Sequence, residues 1–126
     1  MNLDLTEEQQ MIIDMTRGML EEHCTVDVVR SVEDDPKGYP DELWKQMGEL
    51  GLNGLLIPES YGGGGLGVLE AAHVYEELGR AMAPVPHFVS CVMGAGVLLE
   101  AGSDAQKDEW LPKLADGSAI LTPAWY

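Results

Sequence analysis

Between Arg80 and Glu100 the chain carries no formal charge: Ala81 to Leu99 reads AMAPVPHFVSCVMGAGVLL. The stretch has the length of a membrane span. Yet Pro84 and Pro86 stand at its front, Gly94 and Gly96 in its middle, and no basic flank or aromatic belt frames it. The pattern predicts instead a helix starting near Pro86 and ending near Ala101, with Gly102 as a left-handed stop. A helix that is apolar on every side is one enclosed by protein, so its neighbours must each offer one apolar face.

The flanking segments have that character. Thr6-Glu7-Glu8-Gln9 is a capping box that starts a helix, with Ile12, Met15 and Met19 on one stripe, Met11 and Leu20 at its edge, and His23 near its end. A methionine stripe of this kind is core filler, and His23 suits the negative end of the helix dipole. A short helix is expected from Thr25 to Val32, with Val26, Val29 and Val32 facing inward. The loop Glu33 to Gly38 follows. A second main helix opens at Tyr39-Pro40-Asp41, carries Leu43, Trp44, Met47 and Leu50 at helical spacing, and ends at Gly51. Leu52 to Ile57 is a tucked apolar connector closed by Pro58.

A third helix is predicted over Val68 to Met82. Val68, Ala71, Ala72, Tyr75, Leu78 and Met82 form its inner face; Glu70, His73, Glu77 and Arg80 line the outer one, with Glu76 and Arg80 spaced to pair. Ser103 to Gln106 is a second capping box, starting a helix with Trp110, Leu111 and Leu114 that Asp116-Gly117 ends. Ser118 to Tyr126, SAILTPAWY, turns β-leaning and breaks off where a strand would need partners. The fold class is therefore all-α: an orthogonal or up-down bundle of five or six helices with a truncated β-strand at the C-terminus.

Composition narrows the function classes. The 126 residues suit one core and are short for a two-lobed nucleotide enzyme. A net charge of −15, from 22 acidic and 7 basic residues, opposes nucleic-acid and anionic-membrane binding, which require clustered Lys and Arg. It also opposes a self-contained site for a CoA or nucleotide polyphosphate. Cys24 and Cys91 make neither a disulfide framework nor a zinc site. Cys91, in the uncharged run, reads as a buried, inert thiol. No export or transit signal is visible in MNLDLTEEQQ, so cytoplasmic localisation is the default expectation.

Gly62, Gly64 and Gly67 satisfy G-x-G-x-x-G, the spacing of a dinucleotide fingerprint. Four residues separate the apolar Leu55-Leu56-Ile57 from Gly62, so the tight strand-to-helix turn is missing, as is a second βα unit. The absence of Lys-Ser or Lys-Thr also excludes a P-loop. A loop that needs positive φ or close backbone approach accounts for the glycines.

Several linked motifs, in order, resemble the N-terminal helical domain of acyl-CoA dehydrogenases. These are Trp44-Lys45-Gln46-Met47-Gly48-Glu49-Leu50-Gly51-Leu52, Ile57 to Gly63, Glu76 to Arg80, Ala101-Gly102-Ser103 with Gln106-Lys107, and Trp110 to Gly117. The likeness runs from Leu5 to about Gly117. It implies a domain at 1–117, with 118–126 as the first strand of a middle β-domain. Members of the family desaturate an acyl-CoA thioester between Cα and Cβ, with FAD held mainly by a middle β-domain and a C-terminal bundle. A glutamate base lies in the C-terminal domain of most members, and electrons usually pass to an electron-transfer flavoprotein.

The resemblance further implies that Val85, Pro86, Val89 and Met93 wall the acyl cavity, although the apolar pattern marks the same positions as core. Val89 falls where some relatives carry a polar or acidic residue, and Ala83-Pro84-Val85-Pro86 is similar to members acting on bulky or branched acyl groups. The family's flavin motif, Leu-Thr-Glu-Pro followed by Gly-Ser-Asp, is absent. The chain has Leu121-Thr122-Pro123-Ala124-Trp125-Tyr126 instead, which would place Pro123, Trp125 and Tyr126 at the flavin ring. No catalytic residue and no metal ligand is expected within the chain. Its implied partners are acyl-CoA, an electron-transfer flavoprotein, the remaining domains, and further subunits of a homo- or hetero-oligomer. The chain alone is expected to fold but to remain catalytically silent. A rival reading is a non-catalytic helical interaction module or a subunit of a heteromeric dehydrogenase.

Overall fold

The computed structural model describes residues 4–124. Among them six α-helices follow in order: α1 (Glu7–His23), α2 (Val26–Ser31), α3 (Asp41–Glu49), α4 (Val68–Arg80), α5 (Ala95–Ala101) and α6 (Asp104–Ala115). A 3-10 turn at Glu59–Tyr61 precedes α4, and a π-helical segment, Phe88–Gly94, runs directly into α5. No strand forms among the described residues, which gives the expected all-α class.

Helix starts follow the side-chain chemistry. At Thr6 and Gln9 both reciprocal bonds of the capping box form, each 3.1 Å, and Ser103 with Gln106 repeats the arrangement at 2.9 and 3.3 Å. At α4 the glycine cap has no side chain, and Glu70 reaches back to the Gly67 N–H at 3.0 Å. Gly51, at φ +75°, terminates the second main helix as expected. Gly102 does not adopt the left-handed stop: its φ of −72° and ψ of 147° are extended. There is no room for a left-handed turn, because Ser103 is already the N-cap of α6.

Two cores hold the bundle. The larger joins Met19, Leu20 and Cys24 to Leu43, Trp44 and Met47, and to Val74 and Leu78 of α4. The smaller packs Ile57 and Ala95 against Leu111, Leu114 and Ala115 of α6. Helix α1 lies along α4 and runs in the same direction, since Gln9 pairs with Glu70 while Arg17 pairs with Glu77.

This pairing corrects two sequence expectations. Of the expected α1 stripe Met19 is buried, but the inner face is turned toward Ile13, Thr16 and Leu20, leaving Ile12 and Met15 half-buried and Met11 exposed. On α4 the inner face is Ala71, Val74, Glu77 and Leu78, while Val68, Ala72 and Met82 are exposed. Charge placed at the helix–helix contact explains both shifts: the buried Glu77 carboxylate must face Arg17, and this sets the rotation of both helices. Arg80 consequently approaches Glu77 at 3.6 Å rather than Glu76, and His73, expected on a solvated face, is largely covered. The valines of α2 are less buried than predicted, with Val26 exposed and Val29 and Val32 half-buried.

The uncharged stretch is helical to Ala101, but it is not enclosed. Phe88, Val89 and Val97 are 55%, 38% and 46% exposed, so one face of this helix lies open among the described residues. Residues 118–124, expected to begin a strand, form none: the Ala119 N–H bonds the Lys113 carbonyl at 3.0 Å, and the chain then passes along this helix. The Leu121 N–H donates to Ser90 Oγ at 3.2 Å, and the lack of a Cβ at Gly94 lets Leu121 come close.

Candidate functional site

The geometry around the start of this helix is set by His87, a residue the hydrophobic pattern did not single out. Its ring is buried. Nε2 lies 2.9 Å from the Leu52 carbonyl oxygen and Nδ1 lies 2.6 Å from the Tyr75 hydroxyl. A carbonyl can only accept, so Nε2 carries the proton and donates to Leu52, and Nδ1 accepts from the Tyr75 O–H. Burial lowers the affinity of His87 for a second proton and raises the Tyr75 phenol above its ordinary value. One turn on, burial pushes the Cys91 thiol up to about 12, in keeping with an inert role. A histidine inside an otherwise apolar run, with a tyrosine on the neighbouring helix, was the available signal.

Two cavities meet here. One, of about 260 Å³, is lined by Leu78, Met82, Ala83 and Val85 together with Tyr75 and Phe88. The other, of about 490 Å³, lies between Leu56, Val68, Ala71 and Ala72 and the same two rings. Tyr75 and Phe88 touch edge to face with ring centroids 6.0 Å apart, forming the partition between them. Of the four expected wall residues, Val85 lines the smaller cavity. Pro86 and Met93 are half-buried, and Val89 stands on the open face. All four belong to one segment, but they do not close a pocket by themselves.

The chemistry available is correspondingly limited. Two carboxylates have a lowered proton affinity: Glu70, held down by the Gln9 amide, and Glu77, held down by Arg17. Neither has the raised value that a proton-abstracting carboxylate in an apolar site would show. No group of three side chains able to hold a metal occurs among the described residues. The glycine loop has the plain role expected of it. Gly62 and Gly65 have φ of +82° and +60°, and a Cβ on Gly63 would collide with the Ile57 carbonyl. The N-terminus of α4, where a dinucleotide phosphate would sit, is occupied by the Glu70 carboxylate.

Of the expected flavin contacts, Trp125 and Tyr126 lie outside the described residues. Pro123 borders a groove of about 180 Å³ with Gly94, Val97, Leu98 and Leu121. No Lys or Arg lines that groove, so it offers no cation to a flavin pyrophosphate.

Among the described residues, then, six α-helices are followed by an extended segment, and one helical face is left open. The family model "Acyl-CoA dehydrogenase, N-terminal domain" matches residues 6–118, and the chain belongs to the acyl-CoA dehydrogenase family. It is 36% identical over 121 residues to the mitochondrial isovaleryl-CoA dehydrogenase of Pongo abelii, covering 92% of this chain and 28% of that protein. Among solved structures, the ChsE4-ChsE5 complex from Mycobacterium tuberculosis matches with a TM-score of 0.87 and 32% identity, over 97% of this chain and 34% of that one. An acyl-CoA dehydrogenase from Bacillus anthracis complexed with FAD matches at 0.83 and 30%, over 93% and 20%. The chain spans about a third of the length of curated relatives that it matches. No described helix is long and apolar enough to cross a membrane.

Proposed function

We propose that this chain is the N-terminal wall of a flavin-dependent acyl-CoA dehydrogenase, with 1–117 as the helical domain and 118–126 leading into the first strand of a β-domain. The open apolar face of the helix from Phe88 to Ala101 carries this reading. An exposed row of Phe88, Val89 and Val97 has no reason to face water in a self-sufficient domain, and such a face suits contact with an acyl group and the domains that close over it. Val85, Pro86, Val89 and Met93 then bound the acyl chain on this side. The base, the flavin clamp and the CoA-phosphate site come from outside the described residues, and reduced flavin passes its electrons to an electron-transfer flavoprotein. The branched substrate in the name of isovaleryl-CoA dehydrogenase supports a compact, branched or cyclic acyl group over a long straight one.

A second reading, a non-catalytic subunit within a heteromeric dehydrogenase, is favoured by the likeness to the ChsE4-ChsE5 complex. Flavin titration and thioester turnover on the 126-residue chain test the shared part of both readings. Neither tight FAD binding nor desaturation is expected, and either one overturns the division of labour. A chimera carrying this chain in place of the corresponding domain of a complete relative tests the wall. There Val89→Trp is expected to lower kcat/KM for bulky acyl-CoA substrates at unchanged flavin content. No change in substrate preference would remove Val89 from the site.

A further inference from the structure

His87 stands where three stretches of chain meet: the turn 81–86 that precedes it, helix α4, and the connector 52–57. Both ring nitrogens are used, one on Leu52 and one on Tyr75. The bonds span 35 and 12 residues of sequence, so the imidazole ties the start of the π segment to two elements that are remote along the chain. Val85 and Pro86 immediately precede it and Val89 follows two positions later.

We propose that His87 is a positioning residue: it clamps the turn carrying the acyl-wall residues in one geometry, and acidification releases that clamp. The clamp itself stands on geometry alone; its bearing on an acyl wall rests on the function proposed above. A second proton would occupy Nδ1 and point at the Tyr75 oxygen, whose own proton would then have to turn away from the only ring atom it now serves. The groups facing the ring are the Tyr75 phenol from α4 and the Leu52 carbonyl from the connector, and the Cys91 thiol on its own helix lies close enough to Tyr75 to act on the phenol. None of them is an anion at neutral pH, so none offsets a buried imidazolium. Because burial holds His87 below its ordinary 6.5, the clamp is complete above that value and weakens as pH falls through it toward the folded-state value.

Nuclear magnetic resonance on the 126-residue chain tests this directly. At about pH 7.5 the ring nitrogens are expected to report the neutral tautomer protonated at Nε2. Two backbone amides read the clamp: Ser90, bonded to Pro86 O at 3.1 Å, and Ala83, bonded to Leu78 O at 2.9 Å. Below pH 6.5 their opening constants, corrected for intrinsic exchange, are expected to rise by up to about tenfold per pH unit relative to amides of α6. His87→Gln keeps a donor and an acceptor but cannot titrate, so protection is expected to persist without the pH response. His87→Ala is expected to lose protection at both pH values. Should that variant fail to fold, wild type against His87→Gln still decides. Equal opening in wild type at both pH values, the same pH response in His87→Gln, or the opposite tautomer overturns the proposal. The readout uses neither flavin nor thioester, so it stands or falls separately from the acyl-wall reading.

Discussion

Arg17 of α1 holds the Glu77 carboxylate of α4 through two bonds, Nε to Oε2 at 3.0 Å and Nη2 to Oε1 at 2.8 Å, and the glutamate side chain is only 4% exposed. The fork of a guanidinium matches both carboxylate oxygens at once. Because the arginine is 43% exposed, the pair is worth less than a fully buried one. Removing the cation leaves Glu77 facing only the more distant Arg80. Arg17→Met is therefore expected to destabilise the bundle, and the double variant Arg17→Met/Glu77→Leu to recover at least half of the loss. Urea unfolding followed by tryptophan fluorescence measures both. A double variant no more stable than the single one would show that the pair is not what the buried carboxylate requires.

The same pair sets an acid limit. Arg17 lowers Glu77 below its ordinary 4.5, so its stabilising contribution is fully present above that value and is lost as pH falls through the folded-state value. The urea midpoint of wild type is expected to drop more steeply from about pH 6 to about pH 3 than that of Glu77→Gln, which has no proton to gain there. Parallel curves would assign the acid sensitivity to other carboxylates.

Burial of Glu77 also marks the boundary of what the sequence made legible. Local signals were sound: the Thr6 and Ser103 capping boxes, the Gly51 stop and the strained glycine loop all depend on residues within a few positions of one another. Faces were read less well, because hydrophobic periodicity assigns a glutamate to solvent and has no means of seeing an arginine 60 residues away that makes burial tolerable. His87 was missed for the same reason. Its partners, Leu52 and Tyr75, become neighbours only in the folded chain. The openness of Phe88 and Val97 was unreadable too, since composition alone does not separate an enclosed helix from one with an open face.

Two glycines should respond in opposite directions to the same substitution. A methyl on Gly63 would land on the Ile57 carbonyl, and that oxygen already accepts the Gly65 N–H at 2.9 Å, so neither backbone can yield without breaking the loop. Gly63→Ala is expected to destabilise by about 3 kcal/mol or more. At Gly96, within α5, the place a methyl would take has no atom within 4 Å. Gly96→Ala is expected to stabilise by about 0.5–1 kcal/mol by removing backbone entropy from the unfolded chain. Thermal unfolding of the two variants checks both signs, and a loss at Gly96 would reveal a neighbour on the open face.

The indole of Trp44 offers the sharpest test of how the bundle hands the chain onward. Its Nε1–H donates to the Gly117 carbonyl at 2.9 Å, tying α3 to the residue where α6 ends and the extended segment begins. Gly117 sits at φ +80°, and a Cβ there would lie 2.6 Å from Asn53 Nδ2 and 3.2 Å from the indole nitrogen. Left-handed strain and the clash act together, so Gly117→Ala is expected to cost about 2–3 kcal/mol. Trp44→Phe keeps most of the buried ring but leaves the carbonyl without its donor, for about 1 kcal/mol from the lost bond and a further share from the smaller ring. If this bond fixes the direction in which residues 118–124 leave the bundle, the Leu121 amide, held by Ser90 Oγ at 3.2 Å, should exchange faster in Trp44→Phe while amides in α1 do not. Uniform acceleration in both places would mean that Trp44 stabilises the bundle as a whole and does not steer the exit of the chain.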